Sequence, residues 1–410
     1  TKALLSLLFV VFGCYATQQV PNACPNPIEN ATVPTGYCAY TLASGLQSPR
    51  GIYVAENNDI LVVERGLGQV TVMWDANNDG VISASEKAAL ASEKGLNHWV
   101  LANKGLLYAS SASTVFSWPY NAGDRTNLGK GKVVVHSIPT CCDHVTRSFA
   151  FDNNATIYVQ VGSGSNVDPN WDHAQIKTFY LPDMPSGGFN WIDGTTFAAG
   201  LRNEAGIRMD GQGRLWGVEN GVDNLNRPDL GGDIHTNNPS EELNLFDTPG
   251  KFYGYPYCWS EWMLAKGGKG VGSQYVHENF INEHPYSDDW CNNNTNVVKP
   301  KMDFPAHMAP LDIVFYGGPG FTKDGNAFIS FHGSWDRQPP AGYKVMEVNY
   351  KNGMPNGFYP FFYFKGPGDT GNGWPYRPVG LGFAKTAQGE ALIISSDVNG
   401  EIVAVAKTSE

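Results

Sequence analysis

The sequence is short of charge, of long apolar runs and of helical periodicity. Only 16% of its 410 residues are Asp, Glu, Lys or Arg, yet 42% are hydrophobic, too many for a disordered chain. No basic block offsets a formal net charge of −11, which argues against a nucleic-acid partner. After the first dozen or so residues no stretch is apolar enough to span a bilayer. No segment sustains a helical apolar period, and 47 Gly and 26 Pro punctuate the chain, so a coiled coil or long-helix protein is excluded. No Cys-x-x-Cys-His haem motif occurs.

What is there begins with a secretory pattern. Thr1-Lys2 is followed by an apolar run over residues 3–13 and by Cys14-Tyr15-Ala16, a small-x-small cleavage site. Residues 1–16 are expected to be a removed signal peptide, with no membrane insertion of the mature chain. Six cysteines then remain, an even number that suits disulfides in a secreted protein. Sequence proximity pairs Cys24 with Cys38 and Cys258 with Cys291. That leaves the adjacent Cys141 and Cys142 as a vicinal disulfide or as free thiols. Sequons at Asn30, Asn154 and Asn293 fit the same extracellular address.

One unit recurs: an apolar strand, a turn rich in Asp, Asn or Gly, and a second strand. Copies lie at 51–64, 100–109, 148–159, 206–218, 311–330 and 380–394. Six hairpins at this period predict an all-β, six-bladed β-propeller over residues 17–410, and argue against a β-sandwich. The stretch 219–310 reads as a long excursion on one face. At or near the start of each first strand stands a cation or histidine: Arg50, His98, Arg147, Arg202, His307 and Arg377. In a propeller these positions meet at one mouth of the central channel. Guanidinium forks so gathered suit a polyanionic ligand.

Residues 75–86 read Asp-Ala-Asn-Asn-Asp-Gly-Val-Ile-Ser-Ala-Ser-Glu. Oxygen donors at loop positions one, three, five and twelve, with Gly80 at six, have the spacing of an EF-hand calcium loop. Asp75, Asn77, Asp79, the Val81 carbonyl and Glu86 would be the ligands of a structural Ca2+.

Longer motifs carry a resemblance. Gly200-Leu-Arg-Asn-Glu204, Trp216-Gly-Val-Glu-Asn-Gly-Val-Asp-Asn224, Asp229-Leu-Gly-Gly-Asp-Ile-His235 and Asn238-Pro-Ser-Glu-Glu-Leu-Asn244 resemble the glucose/sorbosone dehydrogenase family. So do His332-Gly-Ser-Trp-Asp-Arg337 and Arg377-Pro-Val-Gly380. The similarity is to its secreted eukaryotic branch, the pyranose dehydrogenases that use pyrroloquinoline quinone (PQQ), and runs from about residue 40 to 405. The resemblance implies a propeller with the tricarboxylate quinone held non-covalently over the channel, and hydride transfer from C1 of a sugar. A Ca2+ ion would polarise the quinone carbonyl.

By resemblance His98 is the catalytic base. Arg202, Asn203 and Arg377 contact the cofactor, and the Gly221 and Val222 carbonyls hold its calcium with Asp223 nearby. The lysine that bacterial relatives carry near residues 332–337 is absent, leaving His332 or Arg337 in its place. Trp335, Trp259 and Tyr257 are candidate stacking surfaces. The expected partners are a sugar and an external electron acceptor, a quinone or haem protein. Two other readings stay open, a calcium-dependent lactonase or esterase propeller and an extracellular binding propeller without chemistry.

Overall fold

Each of the six hairpins forms the inner half of a blade of four antiparallel strands, and three blades carry a short fifth strand at the outer edge, in a computed structural model that describes residues 24–140, 143–364 and 374–408. The expected signal peptide with Cys14, and the Cys141–Cys142 pair, lie outside the described residues. The inner strands are Pro49–Val54, Leu96–Asn103, Phe149–Phe151, Glu204–Met209, Pro310–Phe315 and Pro378–Thr386. Neighbouring inner strands pack around one axis, the six-bladed β-propeller that the repeat predicts. The ring closes where Tyr37–Ala43 becomes the outer strand of the last blade, antiparallel to Glu401–Lys407. Cys24 pairs with Cys38 on that strand, and Cys258 pairs with Cys291.

Each blade lies between two others, so its strands must be apolar on both faces. Ile60–Glu64, Leu215–Glu219 and Ala327–Phe331 are buried throughout and rich in β-branched and aromatic residues, which fit a pleated surface covered on both sides. The apolar core is accordingly divided into wedges between adjacent blades. Trp118 packs with Leu61 and Val63 between the first and second, and Trp216 with Ile329 and Phe331 between the fourth and fifth. Truncating one such Trp costs about 3–5 kcal/mol.

The inner strands approach so closely that side chains are excluded at some positions. A Cβ on Gly51 would lie 2.3 Å from the His98 carbonyl oxygen, and one on Gly380 2.4 Å from that of Arg50. Lower down, one residue plugs the axis. The Arg208 guanidinium meets Asp312 Oδ1 and Oδ2 at 3.1 and 3.0 Å, reaches the Ile52 and Leu381 carbonyls, and lies 4.9 Å over the Trp99 ring. Four other blades thus meet one side chain of the fourth. Hydroxyls on second strands staple the next blade's entry: Ser110 Oγ–H donates to the Arg147 carbonyl (2.7 Å) and Ser395 Oγ–H to that of Arg50 (2.6 Å).

The stretch 219–310 contains two strands of the fourth blade, Glu241–Phe246 and Met302–Phe304. The excursion is therefore two loops, 220–240 and 247–301. The second runs Lys251–Phe252 parallel to the outer edge of the third blade and comes back beside the first, where Ser240 N–H donates to the Ser260 carbonyl at 2.9 Å. Among the described residues the one α-helix is Asp288–Asn292, and no helix is long and apolar enough to cross a membrane.

Candidate active site at the channel mouth

Three clusters of polar side chains gather at the mouth, each built from blade entries and the loops between second and third strands. The first holds Arg50, His98, His332, Arg377 and Asp397. Asp397 takes the Arg50 guanidinium at 2.6 Å and His332 Nε2 at 2.9 Å. Burial pushes the Asp397 carboxyl up, but His332 and Arg50 outweigh it and hold it below the usual carboxylate range. Arg377 donates to the His332 and Gly333 carbonyls at 3.0 and 2.6 Å.

His98 is 0% exposed. Its Nδ1 accepts from Arg50 at 3.3 Å, and its Nε2–H then donates to the Ala205 carbonyl at 3.1 Å. Burial, then Arg50, holds the ring well below its ordinary value. Both nitrogens of His98, the base that the resemblance implies, are thus engaged among the described residues, and the ring positions Arg50.

The second cluster holds Arg202, Asn203, Asn166, Asp223 and His144. Arg202 pairs with Asp223 Oδ2 at 2.7 Å and with Asn166 Oδ1 at 3.0 Å. His144 was quoted from the sequence only as a neighbour of Arg147, yet it has the geometry of a base. Its Nδ1 lies 3.0 Å from both the carbonyl and the Oγ of Ser163. Ser163 Oγ spends its own hydrogen on the Ser165 carbonyl. Both neighbours of Nδ1 are therefore acceptors, the proton sits on Nδ1, and Nε2 carries a lone pair with no hydrogen-bond partner among the described residues. A Cβ on Gly162 would strike His144 Cβ at 2.6 Å and Asn203 Oδ1 at 2.8 Å, so one glycine lets these two residues come together. Burial, then Arg202, lowers His144 to about 3.

Beside this cluster the Gly221 and Val222 carbonyls accept no hydrogen bond among the described residues. Gly221 N–H donates to Glu241 Oε2 and Ala309 N–H to Oε1, both at 2.9 Å, which fixes the loop from below. Burial raises Glu241 to about 7. Deeper, Glu204, Glu219 and Glu242 surround the Asn244 amide at 3.0, 3.1 and 3.4 Å, and burial holds all three well above the usual carboxyl range.

The third cluster holds His307, His235 and Asp336. His307 lies against His235 with ring centroids 4.2 Å apart and planes tilted by 46°, and burial, then His235, lowers it to about 4. Trp335 stands 79% exposed beside them in sequence.

Other expected site residues make structural ties. Arg147 is 1% exposed and donates to the Pro139, His144 and Thr146 carbonyls, so it holds the loop that carries His144. Arg337 donates to the Ala306 and Pro339 carbonyls at 3.0 and 3.1 Å, a loop tie of the same kind. Trp259 stacks on Tyr275, and Tyr257 on Tyr286; both are buried and offer no platform.

The loop 75–86 joins the last two strands of the first blade. Met73 pairs with Ile60, and Ile60 with Val54, the end of the inner strand away from Arg50. Asp75 accepts the Asp79 and Gly80 amides at 3.1 and 2.9 Å, and Glu86 those of Ala76 and Ser83 at 2.9 and 2.8 Å. The carboxylates thus already point inward, as a cation would require.

A family model described as TrAA12-like matches residues 31–408. The pyrroloquinoline quinone-dependent pyranose dehydrogenase of Coprinopsis cinerea is 31% identical over 94% of this chain and 56% of its own length; the chain spans about half of that curated relative. The pyrroloquinoline quinone-dependent sugar dehydrogenase of Hypocrea jecorina (strain QM6a) is 31% identical, over 81% of this chain and 80% of its own. Two solved structures are similar in shape. A Trichoderma reesei enzyme of Carbohydrate-Active Enzymes Family AA12 has a TM-score of 0.81 at 31% identity, covering 94% of this chain and 100% of its own. The holo form of the PQQ domain of Coprinopsis cinerea pyranose dehydrogenase has a TM-score of 0.80 at 29% identity, covering 94% and 99%. With the family model spanning nearly the whole ring, the chain belongs to the TrAA12-like family.

Proposed function

We propose that the chain oxidises a pyranose or aldose at C1 with PQQ held non-covalently over the channel mouth and Ca2+ beside it. The observation that carries this reading is a cationic rim that also contains a tethered histidine with a spare lone pair. The rim fits a tricarboxylate: Arg50 Nε is buried without a partner among the described residues, and Arg202 and Arg377 carry forks suited to carboxylates at the entries of two blades. The two uncommitted carbonyls of Gly221 and Val222 fit a hard cation. When bound, the quinone supplies a two-electron acceptor and the calcium a Lewis acid that polarises its carbonyl.

His144 Nε2 takes the hydroxyl proton as the C1 hydride departs and C1=O forms, and the imidazolium is steadied by the Ser163 carbonyl on Nδ1. Asn203 and Arg202 hold the cofactor edge next to that base. Asp397 keeps Arg50 and His332 in register, while His98 fixes the second Arg50 nitrogen. Trp335, exposed at the rim, offers an apolar face to a sugar ring. Residues 75–86 hold a structural Ca2+ apart from the chemistry. Secretion, N-glycosylation at the exposed Asn30, Asn154 and Asn293, and handover of electrons to a diffusible quinone or a haem protein complete the reading. The names of the relatives support it.

The test is reconstitution: purified protein is mixed with PQQ and CaCl2, and dye-linked oxidation is followed over a panel of aldoses and pyranoses. Saturable cofactor binding by calorimetry and turnover of at least one sugar are expected. If calorimetry detects no cofactor binding, the reading is rejected.

A further inference from the structure

His307, Asp336 and Asp223 meet at the mouth. His307 sits at φ +58°, a costly backbone state for a residue with a side chain. Its Nε2–H donates to the His235 and Asn238 carbonyls at 2.7 and 3.0 Å. The neutral ring therefore carries its lone pair on Nδ1. That atom lies 3.7 Å from Asp223 Oδ1 and 3.7 Å from Asp336 Oδ2. Asp223 commits its other oxygen to Arg202, which leaves Oδ1 for this point. Among the described residues Asp336 Oδ2 is buried without a well-formed hydrogen bond, with His235 Nε2 3.5 Å away. A buried lone pair aimed at two carboxylate oxygens is repulsive unless a proton or a metal ion lies between them.

Ligand atoms of His235, His307 and Asp336 lie within 4.8 Å of one another, but His235 is otherwise engaged. Its Nδ1 accepts the Asn224 amide at 2.8 Å, so Nε2 bears the proton and donates to the Asp336 carbonyl at 3.1 Å. It positions Asp336 without offering a lone pair.

We propose that His307 Nδ1, Asp336 Oδ2 and Asp223 Oδ1 bind one divalent transition-metal ion, of the zinc or manganese class. Tetrahedral ligands about 2.1 Å from an ion stand about 3.4 Å apart, so closure from 3.7 Å needs only a small movement. An imidazole donor turns the site away from calcium, which takes oxygen, and toward borderline metals. The carbonyl tie on the far nitrogen of His307 is the usual second partner of a metal-bound imidazole. The ion would join three segments of the mouth, 220–240, the entry to the fifth blade at 307, and the 332–343 loop. The site shares Asp223 with the Arg202 pair of the cofactor rim.

The test uses the full chain, stripped with chelator and titrated with Co2+ as probe. Wild type is expected to bind one Co2+ with nitrogen-ligand visible absorbance, displaced by Zn2+ and not by excess Ca2+. Asp75→Asn, which damages only the 75–86 loop, should leave this unchanged. Asp336→Asn should weaken it about tenfold or more. Anomalous scattering from Zn2+-soaked crystals needs no variant and should peak beside His307 Nδ1. Absence of saturable Co2+ binding, binding undiminished by Asp336→Asn, or zinc peaks found only elsewhere overturn the proposal.

Discussion

At the residue scale the division of labour between two histidines decides how the site works. His98 is enclosed by Arg50 and Ala205, whereas His144 keeps Nε2 available. His144→Ala should lower turnover of the reconstituted enzyme by about 10²–10⁴-fold with cofactor affinity changed only a few-fold; steady-state kinetics beside calorimetry read both. Full turnover in that variant would remove His144 from the chemistry. Its lowered value of about 3 also means the neutral, proton-accepting ring persists far below pH 6.5. The acid limb of kcat/KM should therefore not fall at the pH of an ordinary histidine. The sequence made Arg50, Arg202, His307 and Arg377 legible because each marks a blade entry. It hid His144, whose role depends on Ser163 across a loop, though its place three residues before Arg147 was a usable signal. It hid Asp397 entirely, since an acid 347 residues from its arginine leaves no local pattern.

At the element scale the inner strands depend on the plug and the outer connections on their own ligands. Asp312 is fully buried against Arg208. Asp312→Ala leaves a cation uncompensated among the blades and should cost about 3–5 kcal/mol, read as a drop in the urea midpoint. A shift below 1 kcal/mol would mean that Arg208 finds other partners. The loop 75–86 should bind Ca2+ and raise the melting temperature, since at a hundredfold excess over Kd binding adds about 2.7 kcal/mol. Glu86→Gln should abolish most of that rise, and a chelator-treated wild type whose melting temperature ignores Ca2+ would refute it. The hairpins were legible because apolar strands and Asp/Asn/Gly turns alternate. The two strands inside 219–310 were not, because Glu241–Phe246 carries two glutamates and an asparagine in six residues, all buried. Such a strand is tolerable because the Asn244 amide donates to Glu204, Glu219 and Glu242, and the Gly221 and Ala309 amides donate to Glu241.

At the scale of the whole molecule, buried acids and buried histidines set opposite limits on stability. Glu204, Glu219 and Glu242 are raised, and Glu241 sits at about 7. Above the ordinary glutamate value of about 4.3 the folded state holds more protons than the unfolded one until its own value is passed. Stability therefore falls as pH rises through that window. His98, His144, His307 and His332 are lowered. Between their folded values and the ordinary 6.5 the unfolded chain binds more protons, so stability falls as pH drops. Above 6.5 the raised glutamates act, and below about 4.3 the histidines are joined by lowered carboxylates such as Asp397, so the metal-free melting temperature should peak between about 4.3 and 6.5. A melting temperature that climbs from pH 6.5 to 8.5 in chelator would contradict this, and Glu242→Gln should flatten the alkaline side. The six-fold architecture was the most legible property of all, since a repeat announces itself at every turn.

The closure of the ring also bears on how the protein is made. The strand Tyr37–Ala43 leaves the ribosome some 360 residues before its partner Glu401–Lys407. During synthesis that early strand presents an unpaired apolar edge for the time taken to translate some 360 residues. The finished blade is therefore a late checkpoint in biogenesis: a chain cut short by translation or proteolysis keeps the exposed edge and is open to recognition by quality control, while a complete one hides it.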